Sequence, residues 1–102
     1  MRSIFLCDDP AVIARVYAPQ TVAALRETAG LDATVYTAAH LRETPTAFAD
    51  VDFVFSSWSM PSLTEEELAA FLPSLKAVFY AAGSVQAFAR PFLRRGVRVF
   101  SA

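Results

Sequence analysis

Five short apolar runs stand out against the polar segments of this sequence: Ser3 to Cys7, Ala33 to Thr37, Asp52 to Ser56, Ala77 to Ala81, and Val97 to Phe100. They are rich in Val, Phe, Ile and Tyr, side chains that pack well on a pleated surface, so each is predicted as a strand. Ile4 to Leu6, Val51 to Phe55 and Ala77 to Ala82 are nearly continuous in apolar character. That pattern marks strands buried on both faces, as in a parallel sheet. The run centres, near Phe5, Val35, Val54, Phe79 and Val99, lie 19 to 30 residues apart. Each gap leaves room for a parallel crossover.

The segments between the runs carry helix signals. Asp9-Pro10 offers an N-cap followed by Pro at the first helical position. Val12, Ile13, Val16 and Tyr17 then share one face. Pro19 opens a second helix, with Val22 and Leu25 inward and Gly30 past its end. One short helix is expected between Ala39 and Asp50, where Pro45 breaks the pattern. Thr64-Glu65-Glu66-Glu67 is a capping box, with Leu63 and Leu68 at the two staple positions around it. Pro73 stops that helix. A last short helix is expected from Pro91 to Arg95, closed by Gly96. Strands alternating with helices, joined by right-handed crossovers, give a three-layer α/β domain. We expect a flavodoxin-like, five-stranded parallel sheet of order 2-1-3-4-5.

Composition narrows the class. At 102 residues the chain makes a single domain, 1–102. Apolar residues make up 55%, and counting Gly in place of Tyr leaves that share unchanged, because the chain has three of each. An average soluble domain has about 45–50%. Disorder is excluded, and the excess hints at surface meant for a partner. The formal charge is -1, and eight of the nine cations are scattered Arg. A nucleic-acid binder would show a basic stripe. One Cys and one His exclude an intrachain disulfide, a Cys cage and a multi-His metal site. The apolar run at the N-terminus is too short for a signal peptide, and no membrane partner is indicated, so a cytoplasmic location is expected.

In open α/β sheets, ligands sit beyond the carboxyl ends of the strands. Those ends hold Asp8-Asp9, Ala38-Ala39-His40, Ser57-Trp58-Ser59-Met60, Ala82-Gly83-Ser84 and Ser101-Ala102. Asp8-Asp9 resembles the acidic pair of a phospho-receiver domain. That chemistry also needs an Asp after the third strand and a Lys after the fifth, where Ser56-Ser57 and Ser101-Ala102 stand, so Asp9 is read as a helix cap. Gly occurs only at 30, 83 and 96, so no GxGxxG or GxxxxGK[ST] loop exists. His40 reads as a solvent-facing loop residue. Cys7 reads as a small buried hydrophobe whose thiol the neighbouring carboxylates keep protonated. Trp58 lines a cleft or a partner surface, or joins the core. The small residues Ala81-Ala82-Gly83-Ser84 make a tight strand-to-helix turn, or let an anion approach backbone amides.

Ser57-Trp58-Ser59-Met60-Pro61, the run Leu75 to Val85, and Arg95-Gly96-Val97-Arg98-Val99, in this order and spacing, resemble the N-terminal part of the D-isomer-specific 2-hydroxyacid dehydrogenases. Val85 and Gln86 depart from the family pattern, which commonly has Asp at the first of these positions. The resemblance implies part of a substrate domain. Backbone amides around Ala82 and Gly83 would hold the carboxylate of a 2-keto or 2-hydroxy acid; the turn's own residues offer an anion the amides of Gly83 and Ser84, with the Ser84 hydroxyl as a further donor. Trp58 and Ser59, in the loop Ser57 to Pro61, would border the side-chain pocket. The family's NAD(P)-binding loop and its catalytic Arg, Glu and His lie downstream of the matching region. The expectation is therefore a truncated or excised substrate-domain part of an NAD(P)-dependent oxidoreductase that alone holds no NAD and transfers no hydride. A stand-alone non-catalytic binding or dimerisation module is the alternative. Self-association is expected, through Phe88, Phe92, Phe100 and the ends of the helix from Pro10.

Overall fold

The computed structural model describes residues 1–83, 85 and 87–101. In chain order the elements are β1 (Ser3–Leu6), α1 (Pro10–Val16), α2 (Pro19–Ala29), β2 (Leu31–Tyr36), α3 (Ala38–Glu43), β3 (Phe53–Ser56), α4 (Glu65–Phe71), β4 (Ala77–Tyr80), α5 (Ala89–Arg94) and β5 (Arg98–Ser101). The strands form one all-parallel sheet of order β2-β1-β3-β4-β5, with helices around it, a flavodoxin-like α/β fold. The register is regular from β1 across to β5; against β2 it slips between Ile4 and Phe5.

Local chemistry starts and stops the helices as the sequence dictates. The Asp9 carboxylate accepts from the Ala11 amide at 3.1 Å, and Pro10, which has no N–H to satisfy, takes the first turn. Gly30 closes α2 at φ 61°, a left-handed conformation that suits glycine. At α4 the Thr64 hydroxyl accepts from the Glu67 amide, while the Glu67 carboxylate accepts from the Thr64 amide, both at 3.1 Å. Leu63 and Leu68 are buried on either side.

The two sheet faces carry separate cores. On one, α3, α4 and α5 cover Ile4, Leu6, Val54, Val78 and Tyr80. On the other, α1 and α2 cover Phe5, Cys7, Leu31 and Phe55. The interior strand β1 is buried along its whole length, β3 and β4 nearly so, and the edge strand β5 is largely exposed. Ion pairs tie the amino ends of the strands. Arg2 reaches Asp50 at 2.6 Å and the Ala47 carbonyl at 2.8 Å, its amide donates to Asp52 at 3.0 Å, and Lys76 meets Asp52 at 3.1 Å.

Three features differ from the sequence reading. Strand β2 begins at Leu31, two residues before the predicted run, because Leu31 pairs with Ser3 directly after the Gly30 turn. Helix α5 begins at Ala89, so Pro91 occupies the third helical position; no intrahelical bond is lost there, since the amides of the first turn have no partner within the helix. Phe88 and Phe92 are not surface contacts. They are 4% and 0% exposed and meet edge to face at 5.9 Å under α5. Of the three Phe expected at a self-association surface, only Phe100, at 47%, is open to solvent.

Candidate functional site

The loops at the carboxyl ends of β1, β3 and β4 are stitched to one another. From β1, the Asp8 amide donates to the Ser59 carbonyl at 2.8 Å. The Cys7 thiol lies 3.1 Å from the Trp58 carbonyl and 3.2 Å from the Asp9 carbonyl. Burial pushes this thiol's pKa up, and the charges of Asp9 and Asp8 add to the rise. It is a protonated donor that holds two loops together, in keeping with the reading of Cys7 as inert. From β3, the Ser56 hydroxyl donates to the Leu6 carbonyl and the Ser57 hydroxyl to the Ala81 carbonyl, the latter at 3.0 Å. Tyr17, just past α1, donates to the Ser56 carbonyl at 2.8 Å. Ser56, Ser57 and Tyr17 are thus the supports of this rim. The sequence places Tyr17 on the inward face of the first helix and Ser56-Ser57 after the third strand, but it does not show this supporting role, because their partners are backbone carbonyls distant in the chain.

Trp58 and Ser59 stand on this rim. Trp58 is 62% exposed, which removes it from the core. Ser59 adopts φ 68°, the one left-handed non-glycine among the described residues, and so directs its carbonyl to the Asp8 amide. Their backbone carbonyls bond to Cys7 and Asp8 at the end of β1, where the strand order reverses between β1 and β3. Asp8 and Asp9 stand at the same strand end. The Asp8 carboxylate accepts from the Ala38 amide at 2.9 Å and so spans to β2.

Ala82 and Gly83 follow β4, the next strand over. The ladder continues one residue past β4, where the Ala81 amide donates to Ser56 at 2.9 Å. Beyond it, among the described residues, the amides of Ala82 and Gly83 have no protein acceptor. Gly83 is exposed with an ordinary φ, and a Cβ built on it would meet nothing within 4 Å. The site is therefore open to an incoming group from above. An open groove of about 450 Å³ lined by Val85, Ala89, Arg90 and Leu93 follows directly, with Arg90 as its cation. Ser84 lies outside the described residues. The structure thus places the Ala82–Gly83 and Trp58–Ser59 pairs on adjacent strand ends, joined by the Ser57–Ala81 hydrogen bond.

His40 is a helix residue, not a loop residue. Its Nδ1 accepts from the Thr37 amide at 2.9 Å, completing a capping box at α3, and it faces no site group. Among the described residues, no three of His, Cys, Asp and Glu converge to hold a metal ion, and no helix is long and apolar enough to cross a membrane.

Comparison with protein-family models, with curated proteins and with solved structures finds no match to this chain.

Proposed function

We propose that this chain binds the carboxylate of a small 2-keto or 2-hydroxy acid on the amides of Ala82 and Gly83. On this reading it is the substrate-binding part of an NAD(P)-dependent 2-hydroxyacid dehydrogenase. The observation that carries the proposal is the pair of backbone donors that, among the described residues, have no protein acceptor at the carboxyl end of β4. Backbone N–H groups that converge in a turn favour an anion there. The open approach at Gly83 lets a planar carboxylate reach them. Asp8 and Asp9 put negative charge after β1, which favours the β4 side for a carboxylate. Trp58 and Ser59, one strand away, would border the rest of the molecule. The resemblance of the sequence to the dehydrogenases supports the substrate class.

Hydride transfer would need a nicotinamide cofactor and a proton-transfer residue. This sequence has no GxGxxG loop, and its one His caps α3. The chain's part is then to hold and orient the acid. Amides alone compete with water in an open cleft, so affinity should be weak.

Amide shifts followed by NMR during titration with pyruvate test the proposal, with Trp58 fluorescence as a second signal. Shifts centred on Ala82 and Gly83 that vanish in Gly83→Val are expected. Shifts centred on Asp8 and Ser59, or none at all, would overturn it.

A further inference from the structure

Parallel strands are normally covered on both faces. Here α5 covers β4 and β5 on one side, but α1 and α2 cover only the β2–β1–β3 side of the opposite face. The strip beyond them is aromatic and grows more open toward the edge: Phe55 is buried, Phe53 and Phe79 are half-buried, and Phe100 is exposed. In register across three strands, Phe55 stacks on Phe79 at 5.0 Å and Phe79 on Phe100 at 5.2 Å. One row below lie Phe53, Ala77 and Arg98. Since Val99 packs into the α5 core, Arg98 and Phe100 both project onto the open face. The strip continues into a second groove, of about 430 Å³, between α1 and α2. Tyr17 belongs to both: it lines that groove, and its ring lies 6.5 Å from Phe55.

The polar edge of this surface is basic. Arg26 lines the α1–α2 groove and Arg98 flanks the strip, and neither takes part in an ion pair among the described residues. Glu27, one residue on, turns away from Arg26's side of the helix at that spacing. The strip from β3 to β5 is about 10 Å across and about 13 Å along. That matches the width of one helix and between two and three of its turns. It is far less than the roughly 800 Å² per partner of a stable dimer.

We propose that the open Phe53–Phe79–Phe100 face, with the adjoining α1–α2 groove, docks an acidic amphipathic helix of a partner protein. The apolar stripe of that helix would lie on the stacked rings, and its carboxylates would meet Arg26 and Arg98. This site is independent of the proposed carboxylate site, which lies at the strand ends.

The test is fluorescence anisotropy with a labelled synthetic helix carrying Leu at i, i+3, i+4 and i+7 and Glu at its other positions. A second peptide has Lys in place of Glu. The Glu peptide is expected to bind about tenfold or more tightly than the Lys peptide, a difference of about 1.4 kcal/mol. Phe100→Ser and Arg98→Glu, both at exposed positions, are each expected to weaken it by a similar factor. Circular dichroism checks that both variants fold, and Arg98→Glu carries the test if Phe100→Ser does not. Equal binding of the two peptides, binding of neither, or sedimentation equilibrium showing a dimer that Arg98→Glu or Phe100→Ser dissociates would overturn the proposal.

Discussion

Tyr17 ties helix to sheet with both halves of its side chain. The ring sits edge-on to Phe5 at 5.0 Å, and the hydroxyl donates to the Ser56 carbonyl. Burial raises its pKa to about 12, above the ordinary value near 10. Below that ordinary value the phenol is neutral in both folded and unfolded states. Above it the unfolded chain ionises first, so this contribution to stability is lost as the pH rises toward about 12. Tyr17→Phe should cost about 0.5–1 kcal/mol near neutrality. The cost stays at that low end because the Ser56 carbonyl keeps its bond from the Ala81 amide. Urea melts at neutral pH and above pH ~10 check both statements: the variant should start lower and lose less on the alkaline side. Two glycines make a sharper contrast. At Gly30, φ is 61° and a Cβ would run into the Met1 carbonyl; at Gly83 neither constraint exists. Gly30→Ala should cost about 1–2 kcal/mol or more, whereas Gly83→Ala should leave the melting temperature nearly unchanged.

Among the elements, α4 shows how a helix end can join two parts of a fold. Glu67 accepts from the Thr64 amide and also from Arg42 Nε at 3.0 Å, so the cap of α4 is anchored to α3. Those two donors, the amide first, hold the Glu67 carboxyl below its usual range. Asp52 is lowered in the same way, by the Arg2 amide and then Lys76. A lowered carboxylate stabilises the fold above the unfolded pKa, near 4, and the contribution fades as pH falls through the folded value. Thr64→Ala should cost about 1 kcal/mol at neutral pH. Glu67→Gln should narrow the gap between neutral and acid stability, which thermal melts at pH ~7 and ~3 would reveal. The α4 cap was readable in advance, because Thr-Glu-Glu-Glu before an apolar run states its own geometry. The α3 cap was not, since it uses His40 where Glu or Gln is the usual partner. The start of α5 is less legible, because Pro favours the first helical position and Pro91 stands at the third. At the candidate site, the sequence placed Trp58 and Gly83 at strand ends correctly. It could not decide whether Trp58 was buried, since that depends on strands far away in the chain. The supports Ser56, Ser57 and Tyr17 bond only to backbone, which leaves no side-chain pattern to read.

At the scale of the whole molecule, strand order divides the chain unevenly in space but cleanly in sequence. Elements β1 through α3 lie on one side of the β1–β3 junction, and β3 through β5 lie on the other. The covalent link between the halves is the exposed stretch following Glu43. The non-covalent links include the β1–β3 ladder, Arg2 held to Ala47, Asp50 and Asp52, Phe48 packed edge-on to Tyr36 at 4.9 Å, Tyr17 bonded to Ser56, and Arg42 bonded to Glu67. A cut after Thr44 would break the covalent link and leave these contacts in place. Two peptides, 1–44 and 45–102, should therefore complement each other. Alone, each exposes one edge of β1 or β3 and half a core, and should lack a cooperative melt. Mixed, they should regain the far-UV dichroism of the intact chain, with a melting temperature that rises with concentration. Replacing Arg2 by Ala in the first peptide should weaken their association several-fold, because the guanidinium joins only residues of the second.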